Sequence, residues 1–217
     1  SRIKGAGTPT IEIVGRAGRL LNKRGTFITL PDRIDAGGFL ILGAALGRNI
    51  KVKKCVPDHM HALLQLFKAT GIPYKIGQDW ISVSRPRTIY ATDVKTQEYP
   101  GFATDLQPLF AVLMTQAKGQ SLIFETVHDG RLNYIEELNR MGAKIFPADP
   151  HRILVSGPTF LHGREIASPD IRAGMAFIIA ALIAKGESRI KNIYQIDRGY
   201  EKIEERLSKL GADIRRV

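Results

Sequence analysis

Apolar positions along this chain fall into two patterns that alternate, and each pattern occurs three times. In the first, residues 34–46, 106–117 and 171–184 are apolar at nearly every position, as in Phe39-Leu40-Ile41-Leu42 and Phe177-Ile178-Ile179-Ala180. A helix with no polar face has to be buried all round. These runs are too short, and too rich in small residues, to read as membrane spans. In the second pattern, apolar residues stand eight and four positions ahead of a glycine: Leu63 and Phe67 before Gly71, Tyr134 and Leu138 before Gly142, Ile203 and Leu207 before Gly211. That spacing is one stripe of an amphipathic helix. Asp58, Asp129 and Asp197 are placed as N-caps of these helices, and the three glycines as the left-handed residues that end them.

Self-similarity at a period of about seventy residues sets the architecture before any single motif does. Each repeat is expected to run strand, buried helix, strand, amphipathic helix, hairpin. The β-branched stretches 50–56, 121–127 and 189–194 follow the buried helices and are expected strands. Residues 74–83 and 144–155 are broken by turn chemistry at Gly77-Gln78-Asp79 and Pro147-Ala148-Asp149-Pro150, so each is expected to fold back as a hairpin. Residues 2–15 have the same character as 144–157 and give a third hairpin. The predicted organisation is residues 1–20 as the tail of a preceding domain, then a domain 21–217 of three repeats, 21–85, 86–157 and 158–217. Residues 213–217 begin a further hairpin whose last strand is missing, which leaves an open sheet edge.

Composition changes this picture little. With 217 residues, 44% hydrophobic and 24% charged, the chain is ordinary globular material. The lone Cys55 excludes an intramolecular disulfide and a thiolate metal cluster, and it is expected to be a packed thiol. The five histidines lack metal-ligand spacing, so neither a metal nor a cofactor is expected. No signal peptide or long apolar span is visible, which makes a cytoplasmic protein without a membrane partner the default expectation. A formal charge of +11 points to an anionic partner. The basic residues are scattered without an aromatic-interleaved patch, which favours a phosphorylated small molecule over nucleic acid.

Charged residues gather at the helix starts. Alignment through Gly47, Gly119 and Gly186 makes Arg33, Asp105 and Arg172 equivalent, while Arg131 and Arg198 follow the turn aspartates Asp129 and Asp197. A helix N-terminus offers free N–H groups and a positive dipole end, so arginines there suit phosphate or carboxylate. Asp105 is the one acid among them. A carboxylate held beside a bound substrate serves as a general base. Surface ion pairs and caps would use the same residue types.

Four strings carry a resemblance: Leu30-Pro31-Asp32-Arg33-Ile34-Asp35-Ala36-Gly37, Tyr99-Pro100-Gly101-Phe102-Ala103-Thr104-Asp105-Leu106-Gln107, Arg140-Met141-Gly142-Ala143 and Ile196-Asp197-Arg198-Gly199-Tyr200. Together they resemble the enolpyruvyl transferases, and in particular the carboxyl-terminal half of the branch that acts on a nucleotide sugar. The resemblance implies an α/β fold, the inside-out α/β barrel of the EPSP synthase type, built from βαβαββ units around buried helices. It implies transfer of enolpyruvyl from phosphoenolpyruvate to the 3-hydroxyl of UDP-N-acetylglucosamine with release of phosphate, the first committed step of peptidoglycan precursor synthesis. Asp105 matches the family's base and a sugar-nucleotide ligand, and Val127 a position whose backbone contacts that nucleotide. Arg172 and Arg198 match arginines that bind phosphoenolpyruvate, and Arg131 a further arginine facing the cleft. His128 stands where the family often has an aromatic residue.

The same resemblance assigns a lysine–asparagine pair, a mobile loop with a cysteine proton donor and the uridine-binding segment to an amino-terminal half, which is the implied partner of this chain. The surroundings of Cys55 match nothing in that loop. The alternatives are the sister reaction on shikimate 3-phosphate, and a non-catalytic anion-binding or regulatory domain. These 217 residues alone are expected to release no phosphate from phosphoenolpyruvate and UDP-N-acetylglucosamine; turnover in the ordinary range of about 1–1000 per second would overturn that expectation.

Overall fold

The computed structural model describes residues 2–6, 8, 10–19 and 24–217. Its contacts divide the chain into Ser1–Leu30 and Pro31–Val217. The boundary expected between residues 20 and 21 lies outside the described residues. In the first unit, β1 (Arg2–Lys4) and β2 (Glu12–Val14) form the expected antiparallel hairpin, with Ile3 opposite Ile13. Ile3, Ile11, Ile13 and Val14 are all exposed there.

The second unit runs through three successive sets of elements. The first set is α1 (Arg33–Leu46), β3 (Ile50–Lys53), α2 (His61–Ala69), β4 (Tyr74–Ile76) and β5 (Trp80–Val83). A short β6 (Val94–Lys95) opens the second, followed by α3 (Gln107–Met114), β7 (Gly119–Phe124), α4 (Ile135–Arg140), β8 (Lys144–Asp149) and β9 (Arg152–Gly157). The third holds β10 (Glu165–Ala167), α5 (Ile171–Ile183), β11 (Arg189–Lys191), α6 (Tyr194–Asp197) and α7 (Ile203–Ser208). Three sheets result, in the orders β3-β5-β4, β6-β7-β9-β8 and β10-β11. Both hairpins are antiparallel, whereas β6 joins β7 and β10 joins β11 in parallel.

The apolar helices are the core. From Leu106 to Met114 every residue is buried, and α1 and α5 are buried along most of their length. The three pack on one another, with the sheets and the amphipathic helices outside them. Glycines permit the close approach. A Cβ at Gly37 would lie 2.6 Å from Leu106 Cδ1, and one at Gly174 would lie 2.3 Å from Ile196 Cγ1 and 2.6 Å from Ser168 Oγ. The predicted outer stripe also lies inward: Leu63, Phe67, Tyr134, Leu138, Ile203 and Leu207 are all buried. Gly71, Gly142 and Gly211 have positive φ, as residues ending these helices should. Asp35 and Arg206 tie α7 to α1 through two bonds of 3.0 and 2.8 Å.

Several local expectations are corrected. Asp58, Asp129 and Asp197 cap nothing: Asp58 lies inside the 3-10 turn Pro57–Met60, α4 begins after Tyr134, and Asp197 ends α6. An extra turn precedes each amphipathic helix and displaces its start from the aspartate. The strands expected over 50–56, 121–127 and 189–194 stop at Lys53, Phe124 and Lys191, because positive φ at Lys54 and Asn192 ends two and the bend after Phe124 ends the third. Residues 213–217 form no strand, so among the described residues β11 pairs with β10 alone. The turn of the β8–β9 hairpin falls at Pro150–His151, later than the proline-rich stretch suggested. Among the described residues, no helix is long and apolar enough to cross a membrane.

Where the backbone of α5 meets Ile196 and Ser168, an added methyl has no room. Gly174→Ala is expected to lower stability by about 1–3 kcal/mol, the usual cost of overpacking, read as a shift in the urea unfolding midpoint.

Candidate active site

Two of the buried helices begin on an aspartate cap. Asp32 accepts from Ile34 N at 2.7 Å and Asp35 N at 3.3 Å, and Asp170 accepts from Arg172 N at 2.8 Å and Ala173 N at 2.9 Å. Each cap satisfies two otherwise unpaired backbone donors. Helix α3 has no side-chain cap and is entered through the 3-10 turn Thr104–Leu106. The acid in that turn, Asp105, is therefore available to partners outside its own helix.

Those partners are arginines from two different sets. Arg131 Nη2 donates to Asp105 Oδ1 at 3.1 Å, and Arg172 Nη2 lies 2.9 Å from Asp105 Oδ2. Arg172 stands in the first turn of α5, whereas Arg131 lies on the loop between β7 and α4. Side-chain exposure is 29% for Asp105, 20% for Arg172 and 10% for Arg131, so the triad is held in place while its acid still meets solvent. A carboxylate has about four lone-pair sites, so each oxygen keeps one for a ligand proton. The positive ends of α3 and α5 add to the arginines, an arrangement whose charge suits an anion beside a fixed acceptor.

Arg198 is placed by a close contact. A Cβ at Gly199 would lie 2.6 Å from Ile171 Cγ2 and 3.4 Å from Arg172 Nη1, so this turn rests on the start of α5. Arg198 itself bonds to Gln195 Oε1 at 3.0 Å and makes no ion pair among the described residues. Next to it, Tyr200 is fully buried beside Gly38 of α1. Burial pushes its phenol up to about 12, opposed by the nearby Arg172 charge. Val127 is partly exposed, but its N–H donates to Glu125 Oε1 at 2.9 Å, as does that of His128 at 3.0 Å. A backbone contact from Val127 to a ligand thus falls to its carbonyl. Arg33 is not among the ion-pair partners of Asp105; its guanidinium stacks 5.3 Å over the Tyr99 ring.

A groove of about 700 Å³ lies between α4 and the β8–β9 hairpin, lined by Asn133, Ile135, Asn139 and Asp149 among others. None of Asp105, Arg131, Arg172 or Arg198 lines it, so the charge chemistry is elsewhere. Cys55 is buried, and burial raises its thiol pKa. Its location suits packing rather than proton transfer.

With this geometry in hand, comparison with known proteins is decisive for the family. The family model described as EPSP synthase (3-phosphoshikimate 1-carboxyvinyltransferase) matches residues 1–207. The chain belongs to the EPSP synthase family. It is 42% identical over 214 residues to UDP-N-acetylglucosamine 1-carboxyvinyltransferase 2 of Listeria monocytogenes, covering 99% of this chain and 50% of that protein. The corresponding enzyme of Halothermothrix orenii is 43% identical over 217 residues, covering all of this chain and 51% of that protein. The chain thus spans about half the length of the curated relatives it matches. Among solved structures, the enolpyruvyl transferase NikO from Streptomyces tendae aligns with a TM-score of 0.80 and 27% identity over 86% of this chain and 44% of that one. EPSP synthase from Acinetobacter baumannii, at 18% identity, shares the fold with a TM-score of 0.64 over 82% of this chain and 44% of that one.

Some features of this EPSP synthase-family site escaped the sequence reading. Asp170 is preceded by Ser168-Pro169 and followed by an apolar run, a recognisable N-cap signature. Glu125 continues the inward alternation of Ser121 and Ile123, so the period of two already placed it inside. Nothing local announced that Gln107 Nε2 would donate to the buried Tyr134 hydroxyl at 2.9 Å, which links the loop before α4 to α3. Asp197 does not cap a helix but pairs with Arg216, whose guanidinium also grips Glu204.

Arg216 hydrogen bonds hold the Asp197 and Glu204 carboxyls below their ordinary values of 3.8 and 4.5. A depressed carboxyl contributes fully above its unfolded value and loses that contribution as pH falls through the folded one. The clamp is therefore intact at neutral pH and opens only in acid, below about pH 4. Backbone ¹⁵N order parameters of residues 212–217 should fall on acidification below that point, and Arg216→Ala should lower them already at pH 7. The accompanying loss of global stability should stay within about 1 kcal/mol, since the pair is solvent-exposed.

Proposed function

We propose that this chain supplies one wall of the catalytic cleft of a UDP-N-acetylglucosamine 1-carboxyvinyltransferase, a cytoplasmic enzyme of peptidoglycan precursor synthesis. The observation that carries this reading is the Asp105 carboxylate gripped by Arg131 and Arg172 at the adjoining starts of α3 and α5. Identities above 40% to relatives named for that reaction support it over the sister reaction on shikimate 3-phosphate. The remaining wall belongs to the other half of the full-length protein. The substrates are phosphoenolpyruvate and UDP-N-acetylglucosamine; neither a nucleic acid nor a membrane is a partner.

In this mechanism Asp105 accepts the proton of the sugar 3-hydroxyl as that oxygen attacks C2 of phosphoenolpyruvate, while C3 takes up a proton from a donor in the other half. The resulting tetrahedral adduct then loses a proton from C3 and expels phosphate, restoring the double bond. Arg172 and Arg198 bind the phosphate and carboxylate of phosphoenolpyruvate. Fixed cations of this kind stabilise developing charge without the reorganisation that water would need. Arg172 has to share its donors between the incoming anion and Asp105, and this couples occupation of the anion site to the orientation of the base. Arg131 keeps Asp105 in place from the opposite side, and the Val127 carbonyl accepts from the sugar nucleotide.

The test is phosphate release by the full-length gene product. Wild type should turn over with UDP-N-acetylglucosamine and not with shikimate 3-phosphate; the reverse preference would overturn the assignment. Asp105→Asn should cut kcat by about 100- to 1000-fold with little change in the KM for phosphoenolpyruvate, and Arg198→Ala should raise that KM, both being losses of directly placed charge. An Asp105→Asn enzyme of normal kcat would remove the base from the mechanism.

A further inference from the structure

Glu125 is 1% exposed and sits just beyond the end of β7, where an apolar residue would continue the inward alternation. Burying a carboxylate is costly unless it is paired or well bonded, and among the described residues Glu125 has no cationic partner. Four donors converge on it instead. Oε1 accepts from Thr96 Oγ1 at 2.9 Å, Val127 N at 2.9 Å and His128 N at 3.0 Å, and Oε2 accepts from Thr104 Oγ1 at 2.9 Å. Two of the donors come from afar, 29 and 21 residues away in sequence. Thr96 extends the knot: its hydroxyl accepts from Thr126 N at 2.8 Å and its carbonyl accepts from Thr126 Oγ1 at 2.5 Å.

The identity of the donors matters more than their number. Thr104 directly precedes Asp105, and Val127 and His128 lead into Arg131. One carboxylate thus fastens both sides of the Asp105–Arg131 pair, whereas none of its bonds reaches α5 or the turn of Arg198.

We propose that Glu125 is a positioning residue that holds the turn of Asp105 in register with the loop of Val127 and Arg131, and so orders the acceptor side of the cleft without touching substrate. This deepens the transferase reading and rests on it. If Glu125 is removed, Thr104 and two buried-side N–H groups lose their acceptor together. The base and the Val127 carbonyl then drift against each other, whereas the first turn of α5 that carries Arg172 keeps its Asp170 cap and Arg198 keeps its bond to Gln195. A displacement on the order of 1 Å is enough to cost about 100-fold in rate.

The experiment compares wild type, Glu125→Ala, Glu125→Gln and Thr104→Val in the full-length gene product. Glu125→Ala and Thr104→Val should raise the KM for UDP-N-acetylglucosamine about 10-fold and lower kcat at least as much, while the KM for phosphoenolpyruvate stays within about twofold. Glu125→Gln, which keeps the shape and the acceptor oxygen, should recover most of the loss. Amide exchange at Val127 and His128 should quicken in Glu125→Ala. Thr104→Val severs a single arm and carries the test should Glu125→Ala fail to fold.

Both KM values rising together, or folded variants with wild-type constants, would overturn the proposal while leaving the transferase reading intact. A wild-type protein inactive with every acceptor would overturn the transferase reading and this one with it.

Discussion

Three helices with no polar side pack against one another, and this constraint organises the molecule. Because α1, α3 and α5 have no face to give to water, the strands and amphipathic helices have to cover them. Among the described residues, these three helices meet solvent at their ends. At the start of α3, Leu106 packs against Gly37 of α1 and Asp105 bonds to Arg172 of α5, so these N-termini adjoin. Positive helix ends gathered in this way suit a negatively charged ligand.

The three helix starts are chemically unequal, and the inequality creates the site. α1 and α5 are closed by Asp32 and Asp170, whose carboxylates are committed to backbone N–H groups. α3 starts through a 3-10 turn without a cap, which releases Asp105 to face Arg131 and Arg172. Tyr200, buried between α1 and the start of α5, and Tyr134, bonded to Gln107, anchor the segments that follow the arginines. The charged groups therefore sit on segments fixed by apolar burial, as preorganised electrostatics requires.

Membership of the EPSP synthase family rests on nearly the whole length of the chain, and the geometry adds what family membership leaves open. In the proposed cleft it sets two groups side by side: the loops tied by Glu125 on the acceptor side, and α5 with the turn of Arg198 on the anion side. Asp105 belongs to both, through Thr104 on one side and Arg172 on the other. Occupation of one side can therefore be felt at the other through a single carboxylate.

Much of the fold was legible in the residues alone. Apolar runs of this length read as buried helices and stripes four residues apart as one helical face, and both kinds lie where their pattern placed them. The equivalence of Arg33, Asp105 and Arg172 correctly brought Asp105 and Arg172 together, though it also grouped Arg33, which stacks on Tyr99 instead. The cap assignments at Asp58, Asp129 and Asp197 failed because a cap depends on where the preceding turn releases the chain, which burial of the helix decides and the local residue types do not. Periodicity is a property of consecutive residues, so sequence carries it in full. The grip of two arginines on Asp105, the two threonine arms of the knot around Glu125 and the clamp of Arg216 join residues 12 to 67 positions apart, and only the packing that closes those distances could decide them.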